Sequence, residues 1–243
     1  MREPSAGAGG NRAEEPMFLE PWSAAEGADR VHSAYGRTFH GPPAGVWAAP
    51  GRVNLIGEHT DYNGGISLPI ALPHRTYVAA AVSPEDTAYQ RSAQDPSGRA
   101  LALPLAAVAP GAVEGWAAYA VGVTWALRRR GIPVPALTGH VDSCVPFGAG
   151  LSSSAALEAA FALPSADLRP PPAAPLERAL LAAACVDAEN HIAGAPTGGL
   201  DQAAALQARP GCALVVDSGL GHVEAVPFDL AGAGRELLVI DTR

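Results

Sequence analysis

Residues Pro146 to Glu158 read PFGAGLSSSAALE. A strand-like run, LTGHVDSCVP (residues 137–146), leads in, and an alanine-rich segment leads out. A glycine-rich turn lets backbone N–H groups point into one space without side-chain obstruction. If a helix starts there, its unpaired N–H groups and the positive end of its dipole face the same space. Ser152, Ser153 and Ser154 add hydroxyls, which can donate to phosphate oxygens or ligate Mg²⁺. The stretch therefore reads as a cradle for a polyphosphate. A plain serine N-cap with spare hydroxyls is the alternative.

Composition narrows the chemistry. All 16 basic residues are Arg and none is Lys, which excludes a P-loop Gly-Lys-Ser/Thr, a protein-kinase strand lysine and a Schiff base. The chain has 243 residues, 48% hydrophobic but only 6% aromatic, so the core must be built from Ala, Val and Leu. A net charge of −8, with no basic block beyond Arg128-Arg129-Arg130, argues against a nucleic-acid partner. That triplet reads as the solvated C-terminal end of a helix. Cys144, Cys185 and Cys212 form no CxxC pair and suit a reducing, cytoplasmic setting. No apolar run is long enough for a signal peptide or a membrane span, so no membrane partner is expected.

Helices are expected over AAEGADRVHSAYGRTF (24–39), EGWAAYAVGVTWALRRRG (114–131, stopped by Gly131), LERALLAAACVDAENHIAG (176–194, closed by Gly194) and the end of PTGGLDQAAALQA (196–208). GVWAAPGRVNLIGEHTDY (45–62) reads as strand, turn, strand about Pro50-Gly51, and RTYVAAAVS (75–83) as a strand. GCALVVDSGLGHVEAVPF (211–228) reads as a hairpin about Gly219–Gly221, and RELLVIDTR (235–243) as a strand. The Pro-rich stretch from Leu163 to Pro175 is expected to be a surface loop. Irregular spacing of strands and helices favours α+β over a doubly wound sheet.

A second polar string, GRVNLIGEHTDYNGG (51–65), gathers Arg52, Glu58, His59 and Asp61 around glycines and an Asn. Such groups are costly to bury unless a polyhydroxylated ligand satisfies them. Glu58 and Asp61 can accept sugar hydroxyl protons and His59 can donate. A metal site is the rival reading, though adjacent Glu58 and His59 would point to opposite sides of an extended strand. A turn with internally satisfied polar groups is a third. The last string, AENHIAGAPTGGLDQ (188–202), places Asp201 at a helix start, where a carboxylate also suits the dipole.

Taken together, the three strings resemble those of the galactokinases, a family of the GHMP small-molecule kinases. The resemblance runs from about Phe18 to Arg243. It implies an α+β fold, the GHMP-kinase N-terminal domain of the ribosomal protein S5 domain 2-like kind, with only the start of a C-terminal domain. The implied division is a disordered tail over 1–17, a sugar- and ATP-binding domain over 18–210, and an incomplete second domain over 211–243. The implied activity is ATP-dependent phosphorylation of the 1-hydroxyl of α-D-galactose, with Mg²⁺. On this resemblance Asp201 is catalytic with Arg52 as its partner. Glu58, His59, Asp61 and Gly198 hold galactose, and Gly148, Gly150, Ser152 and Ser153 hold the ATP phosphates. Ser154 and Glu189 approach Mg²⁺. Trp116 and Tyr119 match an adenine-pocket pair, with core packing as their other reading. Galactokinases continue well past Arg243, so this chain is expected to be a fragment with little activity alone, and a monomer when full length. A sibling sugar 1-kinase, or a non-catalytic galactose and ATP sensor, is the competing function.

Overall fold

A computed structural model describes residues 18–241. The expected tail over 1–17 lies outside the described residues.

The first helix, α1 (Ala24–Phe39), starts where the Ser23 Oγ accepts the Glu26 N–H at 3.1 Å. It stops at His40, whose φ of 57° turns the chain and returns its N–H to Gly36 O at 3.1 Å. The strands β1 (Gly45–Asn54), β2 (Ile66–Ser67), β3 (Pro69–Val82), β4 (Thr87–Ser92) and β5 (Leu101–Pro104) follow. Helix α2 (Trp116–Arg129) ends with the Ile132 N–H on Leu127 O and the Gly131 N–H on Arg128 O, a Schellman closure made possible by φ 77° at Gly131. Strand β6 (Leu137–Ser143) leads to α3 (Ser153–Asp167), α4 (Arg178–Ala188), a π turn (Glu189–Ala193), α5 (Leu200–Gln207), β7 (Cys212–Asp217) and β8 (His222–Pro227).

Among the described residues five strands form a mixed sheet in the order β1-β3-β6-β4-β5, in which only β4 and β6 run parallel. β2, β7 and β8 form a small antiparallel sheet. Alternation along β3 divides the layers. Tyr77 and Ala79 face α1, with Val31 and Tyr35. Val78 and Ala80 face the other way, onto α2, α3 and α4. A Cβ at Gly27 would lie 2.3 Å from the Tyr77 ring, so only glycine lets α1 settle there. The opposite layer is built from alanine, as composition required, and its helices approach closely. A Cβ at Gly122 would stand 3.1 Å from that of Ala188. Phe161 is the largest fully buried side chain, and its ring lies over Gly139 of β6.

Three expectations change. Pro50-Gly51 is not a turn but an irregularity in the register of one continuous strand, β1, because both flanks stay paired with β3. Leu163 to Asp167 belong to α3 and most are buried, so the Pro-rich loop begins only at Leu168. Residues 235–241 form no strand. Leu237 to Ile240 are exposed, and a strand without a partner edge has no ladder to hold it. The expected hairpin is present as β7–β8. Among the described residues no helix is long and apolar enough to cross a membrane.

The α1 side contains a buried polar group with a pH consequence. His140 on β6 is 4% exposed, and its Nδ1 lies 3.4 Å from Thr38 Oγ1 of α1. Burial and the neighbouring Arg91 lower its pKa to about 4, with Asp142 opposing and Arg37 reinforcing. The folded value lies below the unfolded value of about 6.5. The neutral form is therefore cost-free above about pH 6.5, and stability falls as the pH drops from there toward 4. The loss at pH 4 should be on the order of 2 kcal/mol. Urea unfolding of the chain at pH 7 and pH 4.5, beside His140→Gln, checks this. An equal loss in both proteins would rule out His140 as the source.

Candidate active site

After β6 the chain turns through 144–152 with φ of 75° at Gly148, 68° at Gly150 and 55° at Ser152. A Cβ at Gly148 or Gly150 would meet nothing within 4 Å, so the space beside both glycines is open. α3 rises from this loop, presenting Ser153 and Ser154 in its first turn. β1 is stitched to the loop. The Arg52 N–H donates to Leu151 O at 3.1 Å, and a Cβ at Gly51 would stand 2.7 Å from that same oxygen. The irregularity at Pro50-Gly51 is thus what lets the strand touch the loop.

Arg52 then projects from β1 into the junction. Its Nε donates to Asp201 Oδ1 at 2.7 Å, one Nη lies 2.6 Å from the same oxygen, and the other donates to Gly150 O at 2.6 Å. Both side chains are largely shielded, with 12% of Arg52 and 23% of Asp201 accessible. Asp201 sits in the first turn of α5, entered through Gly199 at φ 103°. Its other oxygen, Oδ2, accepts the Ser152 hydroxyl.

The loop after β1 folds on itself. Thr60 Oγ1 donates to Gly57 O at 2.7 Å, and Asn63 Nδ2 to His59 O at 3.1 Å. His59 has a φ of 58°, and its Nδ1 lies 2.7 Å from the Tyr62 hydroxyl. Glu58 and His59 are exposed, whereas Asp61 is half-buried against Gly198. A Cβ at Gly198 would lie 2.5 Å from the Asp61 carbonyl carbon and 2.7 Å from its carboxyl carbon. The absence of a side chain there brings the loop to within three residues of Asp201. The structure therefore joins Arg52, Asp61, Gly198, Ser152 and Asp201. It leaves Glu58 and His59 on the rim. Among the described residues no group of three or more His, Cys, Asp or Glu is arranged to hold a metal ion.

Beside the 144–152 loop lies a cavity of about 350 Å³, lined by Trp116, Asp95, Gln94, Phe147, Ser153 and Leu157 among others. Trp116 Nε1 donates to Asp95 Oδ2 at 3.2 Å, which fixes the indole in the wall. Tyr119, one turn along α2, does not line the cavity. Burial raises its phenol pKa, followed by the charges of Glu189 and Glu158.

Glu189 meets two residues that sequence reading missed, Glu158 and Gln202. Gln202 is fully buried, and its Nε2 donates to Glu158 Oε2 at 3.1 Å and to Glu189 Oε2. Glu158 is wholly buried and its Oε1 has no hydrogen-bond partner. Burial drives its pKa well above the carboxylate range, with Glu189 adding to the effect. Glu189 is pushed up to about 7 by burial, against the hydrogen bond from the Ser154 hydroxyl, with Asp201 adding to the rise. Ser154 and Glu189 are thus hydrogen-bonded to each other. Glu158 and Gln202 closed two of the quoted strings, and polar residues ending apolar runs were the available signal.

A family model described as the galactokinase galactose-binding signature matches residues 33–82, and one for the GHMP kinases N terminal domain matches 118–209. A galactokinase of Streptomyces coelicolor is 45% identical over 216 residues, covering 89% of this chain and 55% of that protein. A galactokinase of Mycobacterium tuberculosis is 47% identical over 197 residues, covering 81% and 53%. The crystal structure of Lactococcus lactis galactokinase complexed with galactose superposes with a TM-score of 0.75 at 28% identity, over 83% of this chain and 52% of that one. The Methanococcus jannaschii mevalonate kinase shares the fold, with a TM-score of 0.57 at 18% identity. The chain spans about half the length of the curated relatives it matches.

Proposed function

Because this chain belongs to the galactokinase family of the GHMP kinases, we propose that it carries the sugar- and ATP-binding half of an enzyme that phosphorylates the 1-hydroxyl of α-D-galactose. The observation that carries the reading is the position of Asp201. Its carboxylate is held by Arg52 and Ser152 where the phosphate loop meets the loop bearing Asp61.

Phosphoryl transfer needs positioning and charge neutralisation more than covalent help from the protein. The open N–H groups of 148–153, with Ser153, would hold the ATP phosphates at the start of α3. The neighbouring cavity, walled by Trp116, would take the adenine, with Tyr119 farther along the same helix. Asp61, Gly198, Glu58 and His59 would hold the sugar. Asp201 would accept the proton of the 1-hydroxyl as its oxygen bonds to the γ-phosphorus and ADP leaves with the electron pair of the broken P–O bond. Arg52, bound to Asp201, would offset charge on the transferring group. Ser154 and Glu189 suit a cation held chiefly by phosphates: one hydroxyl and one carboxylate, hard oxygens, at the mouth of a buried acidic pair with one unpartnered oxygen. Mg²⁺ bound there would neutralise phosphate charge. The three free cysteines support a reducing, cytoplasmic compartment.

The test is a sugar panel with ATP and Mg²⁺, using the protein as its gene encodes it. Galactose is expected to be the preferred acceptor, yielding galactose 1-phosphate. Preference for another sugar, or galactose binding without turnover, would replace this reading with the sibling kinase or the sensor.

A further inference from the structure

Ser152 occupies a backbone conformation that serine does not favour. Its φ of 55° and ψ of 49° lie in the left-handed region, where a Cβ crowds the backbone. Gly148 and Gly150 take similar φ values in the same loop, and both are glycine. Among the described residues only His40, His59 and Ser152 have positive φ with a side chain. His40 ends a helix, where that conformation is usual. Ser152 also stands at the N-cap of α3, where serine ordinarily accepts an N–H from the helix's first turn. It makes no such bond. Neither backbone preference nor capping accounts for a serine here.

The hydroxyl points elsewhere. It donates to Oδ2 of Asp201, 49 residues along the chain, while Oδ1 of the same carboxylate takes Arg52. An aspartate carboxyl rotates in a broad, roughly two-fold well unless both ends are tied. One tie alone would leave the other oxygen free to swing.

Resting on the kinase reading above, we propose that Ser152 is a positioning residue for Asp201, and not a phosphate ligand. Its hydroxyl and Arg52 fix the two ends of the carboxylate, so that the remaining lone pairs meet the substrate hydroxyl in one orientation. Misorientation of a proton acceptor slows the chemical step more than it weakens binding.

Ser152→Gly is the decisive variant, because glycine suits the backbone and removes the hydroxyl. In the protein as its gene encodes it, Ser152→Gly and Ser152→Ala should each lower kcat tenfold or more, with KM for galactose and for ATP within about twofold of wild type. Ser152→Gly should unfold at a urea concentration no lower than wild type. Loss of function without loss of stability separates positioning from a structural role. Retained kcat in Ser152→Gly, or a deficit confined to KM for ATP, would overturn the proposal. Failure of the wild-type protein to phosphorylate galactose would instead count against the kinase reading. A second arm reads the hydrogen bond independently of turnover. A double-mutant cycle of Ser152→Gly and Asp201→Ala, by urea unfolding of the 243-residue chain, should show coupling of about tenfold in the unfolding constant. Additivity there would overturn the proposal whatever the activity.

Discussion

Asp201→Asn should abolish turnover, lowering kcat by about 10²- to 10⁴-fold, the span ordinarily assigned to a positioned acid or base. The substitution keeps the shape of the side chain and an oxygen that can still accept from Arg52. It removes the charge and the ability to take a proton. On the proposed reading galactose is held mainly by the loop around Asp61, so its binding should change no more than a few-fold. Steady-state kinetics with titration calorimetry for galactose would measure both, in the protein as its gene encodes it. Near-normal kcat would mean that the carboxylate clamped by Arg52 and Ser152 is structural, and the proposed mechanism would have to be abandoned. Equal losses in kcat and sugar affinity would point to a general collapse of the α5 start.

The largest expected loss of stability comes from Phe161→Ala, about 3 to 5 kcal/mol. Phe161 is 1% exposed, lies on α3, and rests its ring on the bare backbone of Gly139, where a Cβ would be 2.8 Å from the ring edge. The spread in such measurements reflects how well a site can collapse into the space left. This site should collapse poorly. Ala159, Ala160 and Ala162 of α3 and Ala182, Ala184 and Ala188 of α4 are all buried in the same cluster, and none has a side chain long enough to refill the space. Urea unfolding of the chain, read as a shift in midpoint at constant slope, would measure it. A loss below about 1 kcal/mol would show that the alanine layer repacks freely. Because the loop proposed to hold the ATP phosphates leads into α3, the variant should also weaken nucleotide binding, though Phe161 is two turns from Ser154.

Local chemistry made much of this molecule legible in advance. Helix α1 lies over the 24–39 run that reads as helical, and α2 follows from apolar periodicity with Gly131 at its end. The β7–β8 hairpin follows from Gly219–Gly221 between two alternating runs. The three polar strings were visible because glycines and polar groups in close succession cannot be ordinary core. These signals lie within a few residues of one another, where backbone sterics and solvation act directly.

What only the tertiary structure decided involves partners far apart in the chain. Pro50-Gly51 looks like a turn, yet β1 stays one continuous strand because β3 pairs with both flanks and Leu151 takes the Arg52 N–H. Residues 235–241 have strand composition but no neighbouring strand among the described residues, and β structure exists only in pairs. Glu158 and Gln202 end their motifs without declaring a role, and become one buried network only when α3, α5 and the π turn meet. Ser152 reads as one of three similar serines until Asp201 is folded against it. A hydroxyl's partner is set by which group arrives within about 3 Å, and that proximity comes from packing, not from neighbours in sequence.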